Sequence, residues 1–376
     1  MVRSPVGRKR ILFLIPSLVG GGAERAAVQL LEHLDRKRFE PLLMLFQDRC
    51  DYTLPPDVTI TCLHEKGLCG FIKIIWSLVR TYKREKPDVV LSFMYYANLM
   101  SALARKLSRT KPRLLFSEHS HVSHELKIDP FSSLEARAIP WLYPQSEKVI
   151  CVSQGVADDL VANFGVTREK IKVIYNPVDI DHILTLAKEY LDHPWFAQNE
   201  RPVIIAMGRL VAEKGYRYLL KAFSQVNTKS PCRLVILGEG EEQRALNTLI
   251  RELGIEEQVT FLGFQKNPFN CLVRSGLFVL SSLHEGLPYA IIEAMACGIP
   301  VIATRCPSGP DEIITDGVNG LLVPVADEAA LAEAMLRLLN DKGFATRLAQ
   351  AGKKRAEDFA VAKIMKVYES LFADQP

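Results

Sequence analysis

The chain has 376 residues, 48% of them hydrophobic, which is about two to three times the usual length of one domain and predicts two domains of similar size. Its net charge of +4, from 47 basic and 43 acidic residues, is too small to indicate nucleic acid as a partner. The eight cysteines include neither a CxxC pair nor histidines at metal-ligand spacing, so we expect the reduced thiols of a cytoplasmic protein.

The N-terminus has the order of a signal peptide, with a charged segment, MVRSPVGRKR, before an apolar one, ILFLIPSLV. Glycines take the place of a cleavage site and an amphipathic helix pattern follows, so a first buried strand is the better interpretation. No apolar run reaches the roughly 18–20 residues that span a bilayer, which leaves peripheral association as the expected mode of any membrane contact.

Short apolar runs alternate with helix-length amphipathic segments, a pattern typical of parallel sheets covered by helices on both faces. Six strands are predicted in the first half, at Ile11–Ile15, Pro41–Phe46, Asp88–Phe93, Arg113–Phe116, Lys148–Val152 and Ile171–Tyr175. Six more are predicted in the second half, at Val203–Met207, Arg233–Leu237, Val259–Leu262, Leu277–Ser281, Pro300–Ala303 and Gly320–Val323. Two such series predict an α/β protein with two doubly wound domains.

The break between the domains is predicted after Pro177, because the stretch that follows, up to Arg201, is polar, aromatic and aperiodic before a new strand begins. Two helical patterns close the chain, at Glu328–Leu339 and at about Ala351–Phe372. Ligands of open parallel sheets bind beyond the carboxyl ends of the strands, so the residues that follow each strand are candidates for a site in a cleft between the two sheets.

A glycine turn follows the first strand, where Gly20, Gly21 and Gly22 open an amphipathic helix. Such a turn lets a bound anionic group approach the backbone at the helix start. The spacing does not fit a dinucleotide fingerprint, because the sixth position is Arg25 rather than glycine. A turn used only for tight packing remains an equal alternative.

Two cations follow the first strand of the second domain, Arg209 in MGRL and Lys214 in EKG. Both lie just beyond a strand end, where two positive side chains suit a diphosphate.

Two glutamates, Glu285 and Glu293, occur in the stretch HEGLPYAIIEAMACG. A turn after a strand places Glu285 in a loop, and a helix that begins near Pro288 contains Glu293. Eight helical residues rise about 12 Å, which exceeds the roughly 5–9.5 Å between the carboxyl groups of glycosidases. Each glutamate is therefore expected to contact a different part of one elongated ligand. The later CPSGP loop adds backbone near the same strand ends, although without the neighbouring motifs an ordinary Pro/Gly turn would be the favoured interpretation.

Two histidines, His119 and His121, lie in a polar segment after a first-domain strand. A lone histidine is more often a structural hydrogen-bonding residue than a catalyst, and two histidines at a strand end shift that balance toward function. A metal site would need a third ligand, and none is indicated. The chain has no GxSxG nucleophile elbow and no P-loop.

The GGAER turn, the GRL..EKG loop, the E-x7-E segment and the CPSGP loop together resemble the family 4 retaining glycosyltransferases of the GT-B fold. The resemblance covers nearly the whole chain, and its nearest members act in bacterial lipopolysaccharide core and surface-polysaccharide assembly. It implies an N-terminal acceptor-binding domain at 1–177, a nucleotide-sugar-binding domain at 178–355 and a final helix at 356–376 that returns to the first domain.

The resemblance also implies roles for individual residues. Arg209 and Lys214 would bind the donor diphosphate, which Gly21 and Gly22 would approach from the first domain. Glu285, helped by the backbone of Gly286, Leu287 and Pro288, would bind the transferred sugar, and Glu293 the ribose. The backbone of Gly263, Phe264 and Gln265 would lie near the nucleobase. His119 would lie near the reacting sugar, with His121 as the alternative.

The resemblance implies a metal-independent enzyme without a cofactor. It would move a hexose or N-acetylhexosamine from a nucleoside diphosphate, UDP being favoured, to a saccharide or lipid-linked glycan. Arg209 and Lys214 would stabilise the departing diphosphate in place of a cation. A nucleotide-sugar epimerase of the same architecture and a non-catalytic sugar-nucleotide-binding protein are the alternatives, and the motif set disfavours both.

A basic region spans residues 73–113, where ten basic residues against two acidic ones give a net charge of +8. A helix over Phe71–Arg84 would place its apolar residues on a broad arc and Lys73, Arg80, Lys83 and Arg84 opposite. This face, together with Arg105, Lys106, Arg109, Lys111 and Arg113, is expected to contact anionic lipid on the cytoplasmic side of the inner membrane, where each basic residue contributes about 1 kcal/mol. A solvated helix surface is the alternative.

Overall fold

The computed structural model describes residues 7–63, 67–128, 132–197 and 201–374. The chain forms two compact units. The first unit contains Met1–Pro177 together with Val361–Pro376, and the second contains Val178–Ala360.

The described part of the first unit has a parallel sheet of seven strands in the order β3-β2-β1-β4-β5-β6-β7. The strands are β1 Lys9–Ile15, β2 Phe39–Leu45, β3 Thr59–Cys62, β4 Val89–Phe93, β5 Arg113–Glu118, β6 Lys148–Cys151 and β7 Ile171–Val173. The helices are α1 Gly22–His33, α2 Gly67–Glu85, α3 Tyr95–Ser108, α4 Val122–Ile128, α5 Ser132–Leu142, α6 Gln154–Phe164 and α16 Val361–Ala373.

The second unit has a parallel sheet of six strands in the order β10-β9-β8-β11-β12-β13. The strands are β8 Val203–Met207, β9 Arg233–Leu237, β10 Val259–Gly263, β11 Leu277–Leu280, β12 Val301–Thr304 and β13 Leu321–Val323. The helices are α7 Ile180–Leu186, α8 Pro194–Ala197, α9 Tyr216–Lys229, α10 Gln243–Leu253, α11 Phe269–Leu272, α12 Tyr289–Ala296, α13 Pro310–Ile313, α14 Glu328–Asn340 and α15 Lys342–Ala356.

In each sheet, the side on which successive strands are added changes at one point, which lies between β1 and β4 in the first unit and between β8 and β11 in the second. All strands remain parallel. The loops after these neighbouring strands turn to opposite sides, which opens a crevice at their carboxyl ends. The prediction of an α/β protein with two doubly wound domains is confirmed, and all twelve predicted strands are present with ends shifted by a few residues.

The sequence prediction missed β3, which pairs with β2 at the edge of the first sheet. Its residues, TITC, are exposed or half-buried, so they lack the continuous apolar run that marks the buried strands. The stretch after Pro177 was expected to be irregular but contains α7 and α8. The side chain of Asp179 accepts a hydrogen bond from the backbone N–H of His182 (3.0 Å) and caps α7.

The predicted single helix at 351–372 is wrong, because the structure has a break between α15 and α16. A 3-10 turn, Glu357–Phe359, and the extended residue Ala360 separate the two helices. The break is held by a backbone hydrogen bond, in which the N–H of Val178 donates to the carbonyl of Phe359 (2.9 Å).

Helix α16 packs within the first unit through its apolar face. The ring of Phe372 lies 6.4 Å from Phe13 and 5.8 Å from Phe39, edge to face in both pairs. Burying a side chain of this size stabilises the fold by roughly 1.5–3 kcal/mol. The helix start at Val361 replaces the predicted start at 356.

Two basic residues bind the last carbonyls of α16, where the helix dipole favours positive charge. Lys9 Nζ donates to the carbonyl of Ala373 (2.8 Å), and Arg113 Nη2 donates to that of Leu371 (2.8 Å). Arg113 also pairs with Glu147 at 2.6 Å, and its side chain is only 11% exposed. The expectation that Arg113 faces lipid is therefore wrong.

None of the described helices combines the length and the apolar character that crossing a membrane requires. The described cysteines form no disulfide with one another and include Cys50, Cys62, Cys151, Cys232, Cys271, Cys297 and Cys306.

Candidate functional site

The candidate site of the second unit lies at the reversal point of its sheet. One loop, from Gly208 to Gly215, follows β8, and a second, from Ser281 to Pro288, follows β11. Because β8 and β11 are hydrogen-bonded neighbours, both loops begin at the carboxyl edge where α/β proteins bind ligands.

Lys214 and Glu285 meet directly at this edge. Lys214 Nζ lies 2.6 Å from Glu285 Oε1, and the side chains are 21% and 10% exposed. The Ser282 hydroxyl donates to the same carboxylate oxygen at 2.7 Å. The structure thus joins two side chains that the sequence nominated separately, and adds Ser282, which the sequence analysis did not single out.

Backbone contacts fix the two loops against each other. Ser281 Oγ donates to the carbonyl of Lys214 (2.9 Å), and the N–H of Leu283 donates to that of Glu213 (2.7 Å). Gly215 has a φ of +63°, and a Cβ there would lie 2.1 Å from the carbonyl oxygen of Ser281. Glycine is therefore required both for the left-handed turn and for the close approach.

The CPSGP loop after β12 contacts the backbone of the loop that carries Glu285. Ser308 Oγ donates to the carbonyl of Glu285 (2.7 Å). Gly309 has a φ of +90°, and a Cβ there would lie 2.7 Å from Pro288 Cδ and 2.8 Å from the carbonyl oxygen of Gly286. The predicted convergence of this loop with the neighbouring strand ends is thus observed.

Helix α12 begins one residue later than the sequence suggested. Pro288 occupies the N-cap position rather than the first helical turn. Leu287 and Pro288 are buried, and Gly286 is half-buried. Glu293, a residue of α12, is completely buried. The role of Glu293 in ribose binding stays a prediction.

The ends of β8, β9 and β10 are linked through glycines. The N–H of Gly208 donates to the carbonyl of Leu237 (3.0 Å), and the N–H of Gly238 donates to that of Gly263 (2.8 Å). Arg209, which follows Gly208, is exposed. These contacts place Arg209 and the Gly263 turn along one carboxyl edge.

The turn after β10 exposes an aromatic ring. Phe264 is 67% exposed, and its backbone N–H donates to Glu239 Oε1 (3.2 Å). The side chain of Gln265 folds back, with Nε2 donating to the carbonyl of Leu262 (2.6 Å). The prediction that this turn contacts a nucleobase is not tested by these contacts.

The helix after β1 begins at the glycine turn, as the sequence predicted. Gly20 has a φ of +55°, and Gly21 is the N-cap of α1, which begins at Gly22. The Glu24 carboxylate lies over Gly21, so that a Cβ there would meet Glu24 Oε2 at 2.1 Å. Because that atom ends a flexible side chain, the approach does not by itself demand glycine.

His119 lies immediately after β5 and is held on two sides. Its Nε2 is 2.9 Å from Ser117 Oγ, and its ring stacks on Phe93 with centroids 5.6 Å apart. Burial lowers the pKa of His119 to about 3, so the ring is neutral near pH 7. Burial also lowers the pKa of the half-buried His121.

A buried carboxyl group adjoins His119, and the sequence analysis did not identify it. Asn98 Nδ2 donates to Glu118 Oε1 (2.6 Å), and the Tyr143 hydroxyl donates to the same atom. Burial raises the pKa of Glu118 to about 8, although both hydrogen bonds lower it. Glu118 is therefore largely protonated at neutral pH. A single glutamate at a strand end gives no sequence signal of burial.

Among the described residues, no group of three or more His, Cys, Asp or Glu side chains is placed to hold a metal ion.

Two family models match the chain. The model of the glycosyl transferases group 1 matches residues 188–355, and the model of glycosyltransferase family 4 matches residues 20–182. The two matches follow one another along the chain and correspond to the second and first sheets.

Individual relatives cover nearly the whole chain. A Campylobacter jejuni protein named N-acetylgalactosamine-N,N'-diacetylbacillosaminyl-diphospho-undecaprenol 4-alpha-N-acetylgalactosaminyltransferase is 31% identical over 95% of this chain and 97% of its own length. The lipopolysaccharide core biosynthesis glycosyltransferase LpsE of Rhizobium meliloti is 30% identical over 78% of each chain.

A solved structure supports the same assignment. The Anabaena protein HepE, crystallised with UDP-glucose, has a TM-score of 0.81 and 26% identity, with 96% of this chain and 99% of that chain covered. The fold, the two family models and the Campylobacter relative agree. The expected resemblance is confirmed: the chain belongs to the family 4 glycosyltransferases.

Proposed function

We propose that this glycosyltransferase moves a hexose or N-acetylhexosamine from UDP to a saccharide or lipid-linked glycan in cell-surface polysaccharide or lipopolysaccharide assembly. The Lys214–Glu285 pair supports this proposal, because a cation and a carboxylate lie 2.6 Å apart at the sheet edge where α/β proteins bind ligands. The transfer is proposed to retain the anomeric configuration and to need no metal ion.

The cations after β8 suit the diphosphate. Lys214 is a point charge held beside Glu285, and the exposed Arg209 presents a guanidinium fork that matches phosphate oxygens. Gly286, Leu287 and Pro288 lead into the start of α12, where backbone N–H groups and the helix dipole favour an anion. Together these groups can stabilise the charge of the leaving nucleoside diphosphate, which is electrostatic catalysis.

The sugar and the nucleoside would then contact residues on either side of these diphosphate-binding groups. Glu285 is proposed to bind hydroxyls of the transferred sugar, Glu293 those of the ribose, and the Gly263 turn with Phe264 and Gln265 the base. UDP is favoured because the Anabaena neighbour was crystallised with UDP-glucose. In the proposed front-face reaction, the bond from the anomeric carbon to the diphosphate oxygen breaks. The acceptor oxygen bonds to the same face, and its proton passes to the departing diphosphate.

The first unit is proposed to contribute Gly21, Gly22 and His119. His119 is neutral at physiological pH because burial lowers its pKa to about 3. It would therefore act near the reacting sugar as a hydrogen-bonding group rather than as an acid or base.

An acceptor anchored in a membrane would explain the exposed face of α2. Buried residues of this helix pack inside the first unit, where α2 contacts α3, whereas Lys73, Arg80 and Lys83 are exposed as the sequence predicted. Between them Ile72 and Trp76 are 58% and 54% exposed. An apolar strip with flanking cations suits an anionic lipid surface, and the Campylobacter relative is named for a diphospho-undecaprenol substrate.

The donor is tested by incubating the protein with UDP-glucose, UDP-galactose, UDP-N-acetylglucosamine and UDP-N-acetylgalactosamine, with the matching GDP and ADP sugars as controls. We expect thermal stabilisation and slow release of UDP with at least one UDP-sugar. Stabilisation by a GDP- or ADP-sugar alone would contradict the choice of UDP, and formation of a free epimerised nucleotide sugar would contradict transfer.

A further inference from the structure

We propose that Asn98 of α3 is a positioning residue for His119. Its side chain joins the carboxyl ends of β4 and β5 and in this way holds the ring of Phe93 against the ring of His119. The kinetic consequence rests on the proposed function, in which His119 lies near the reacting sugar. The structural part concerns the first unit alone.

The Asn98 side chain uses both ends of its amide. Ser92 Oγ donates to Asn98 Oδ1 (2.5 Å), and Asn98 Nδ2 donates to Glu118 Oε1 (2.6 Å). Ser92 lies in β4, Glu118 ends β5, and all three side chains are at most 1% exposed. Because a buried polar group without a partner destabilises the fold, the two hydrogen bonds restrict how far the strand ends can move apart. We call Ser92, Asn98 and Glu118 the Asn98 clamp.

The Glu118 end of the clamp is fixed from a second side. The Tyr143 hydroxyl donates to the same oxygen of Glu118 that accepts from Asn98. Burial raises the pKa of Glu118 to about 8, so at neutral pH the group is mainly uncharged and Oε1 can accept both hydrogen bonds as a carbonyl oxygen. Glu118 therefore gives Asn98 a fixed partner without a buried charge.

The two stacked rings belong to the residues that directly follow the strand residues of the clamp. Phe93 follows Ser92, and His119 follows Glu118. Successive residues of a strand point to opposite faces, so the Phe93 ring lies on the face away from Ser92. The ring centroids of Phe93 and His119 are 5.6 Å apart, at 30° between the planes. A shift of either strand end would therefore change this stack.

The backbone between Phe93 and α3 is strained. Met94 has a φ of 71° and a ψ of 150°, a region that residues other than glycine avoid. Its N–H donates to the carbonyl of Ser117 (2.8 Å), and its own carbonyl accepts from the N–H of Asn98 (3.1 Å). Such conformations persist only where surrounding contacts fix them, and they cluster at functional sites. Asn98 thus helps to hold a turn that the free chain would not adopt.

The first test is a set of variants of the full chain, assayed by release of UDP from the UDP-sugar that stabilises the protein most. We expect Ser92→Ala to lower kcat about three- to tenfold and Asn98→Ala about tenfold or more, because a misplaced group at the reacting centre lowers kcat. KM for the donor should change less than about twofold.

The two substitutions should not add. Ser92→Ala combined with Asn98→Ala should lose no more activity than Asn98→Ala alone, because both act through the same amide. Ser92→Ala removes only one of the two hydrogen bonds, so it tests the proposal even where Asn98→Ala does not fold.

Ser101 supplies the matched control. It lies one turn after Asn98 on α3, is also completely buried, and its hydroxyl lies 2.9 Å from that of Tyr82. Ser101→Ala should lower the melting temperature about as much as Ser92→Ala and leave kcat unchanged. Additive losses in the double variant, or an equal loss of kcat in Ser101→Ala, would overturn the proposal.

The second test needs no sugar transfer. In protein labelled with ring-¹³C histidine, the His119 resonance is identified by its absence from His119→Gln, and Phe93→Leu gives its position without the stacked ring. Ser92→Ala and Asn98→Ala should move the resonance toward that position, and Ser101→Ala should not.

An unchanged His119 resonance in both Ser92→Ala and Asn98→Ala would overturn the proposal even if the enzyme transfers sugar. The expected spectra without any release of UDP would instead contradict the proposed function.

Discussion

Lys214 Nζ lies 2.6 Å from Glu285 Oε1, although the two residues are 71 positions apart in the chain. The turn at Gly215 and the hydroxyl of Ser282 hold the pair at the reversal point of the second sheet. An ion pair of partly exposed side chains adds little stability by itself, roughly 0–1 kcal/mol. Its consequence is orientation, because the pair holds both side chains at the sheet edge.

Substitutions of the two glutamates in the E-x7-E segment should affect different properties of the enzyme. Glu285→Gln keeps the shape but removes the charge that pairs with Lys214, and we expect kcat to fall by about 10²-fold or more with a smaller change in donor affinity. Glu293→Gln should chiefly weaken donor binding. Donor titration and initial rates separate the two effects, and equal losses of both properties in both variants would contradict the division of roles.

The glycine of the EKG turn should be irreplaceable for activity. Gly215→Ala would place a Cβ 2.1 Å from the carbonyl oxygen of Ser281, so the loop that carries Lys214 must shift. We expect kcat/KM to fall more than about tenfold. Gly254→Ala is the matched control, since Gly254 has nearly the same φ, +65°, with open space around it.

Gly254→Ala should cost about 1–2 kcal/mol of stability, as the left-handed conformation predicts, and leave kcat/KM unchanged. If both variants lose the same stability and keep full activity, the close approach of the two loops does not control the site.

The buried carboxyl of Glu118 should make stability depend on pH. Its pKa is raised to about 8 from an ordinary value of 4.5, so between these values the folded chain keeps a proton that the unfolded chain loses. Stability from this group is complete below about pH 4.5 and falls by about 1 kcal/mol per pH unit until pH 8. Glu118→Gln should lack this fall.

The measurement is urea unfolding of both proteins at pH 5, 6, 7 and 8. Other titrating groups, such as His119, contribute equally to both proteins and cancel in the difference. We expect Glu118→Gln to gain stability relative to the natural protein as pH rises. A constant difference across the range would mean that Glu118 is not protonated in the fold.

The exposed face of α2 should bind anionic vesicles. We expect binding to phosphatidylglycerol vesicles at low salt, weakened about tenfold by Trp76→Ser and about fivefold by Arg80→Gln. Tyr190→Ser is the control, because Tyr190 is 84% exposed in the second unit. No binding by the natural protein, or equal loss in the control, would contradict a membrane-facing α2.

The fold was predictable because its central strands are continuous apolar runs. β3 escaped prediction because an edge strand needs no such run, and the break between α15 and α16 depends on a backbone hydrogen bond from Val178 to Phe359 that no local pattern reveals. Helix starts were accurate to one or two residues where glycine or proline marked them, as at Gly22 and Pro288.

The sequence identified several residues of the candidate site but not the contacts between them. Arg209, Lys214 and Glu285 were identified because each follows a strand, but the pairing of Lys214 with Glu285 arises from the order of strands β8 and β11. Ser282 was not identified from the sequence, because its hydrogen bond to Glu285 depends on how the loop after β11 folds.

The most direct test of the account is the stereochemistry of donor cleavage without metal. The protein is incubated with the UDP-sugar that stabilises it most, in the presence of EDTA, and the first sugar released is followed by proton NMR before it mutarotates. Retention predicts that the α-anomer of the sugar and UDP appear together at the same rate with and without EDTA. Release of the β-anomer first, or loss of turnover in EDTA that Mg²⁺ or Mn²⁺ restores, would contradict a metal-independent retaining transferase.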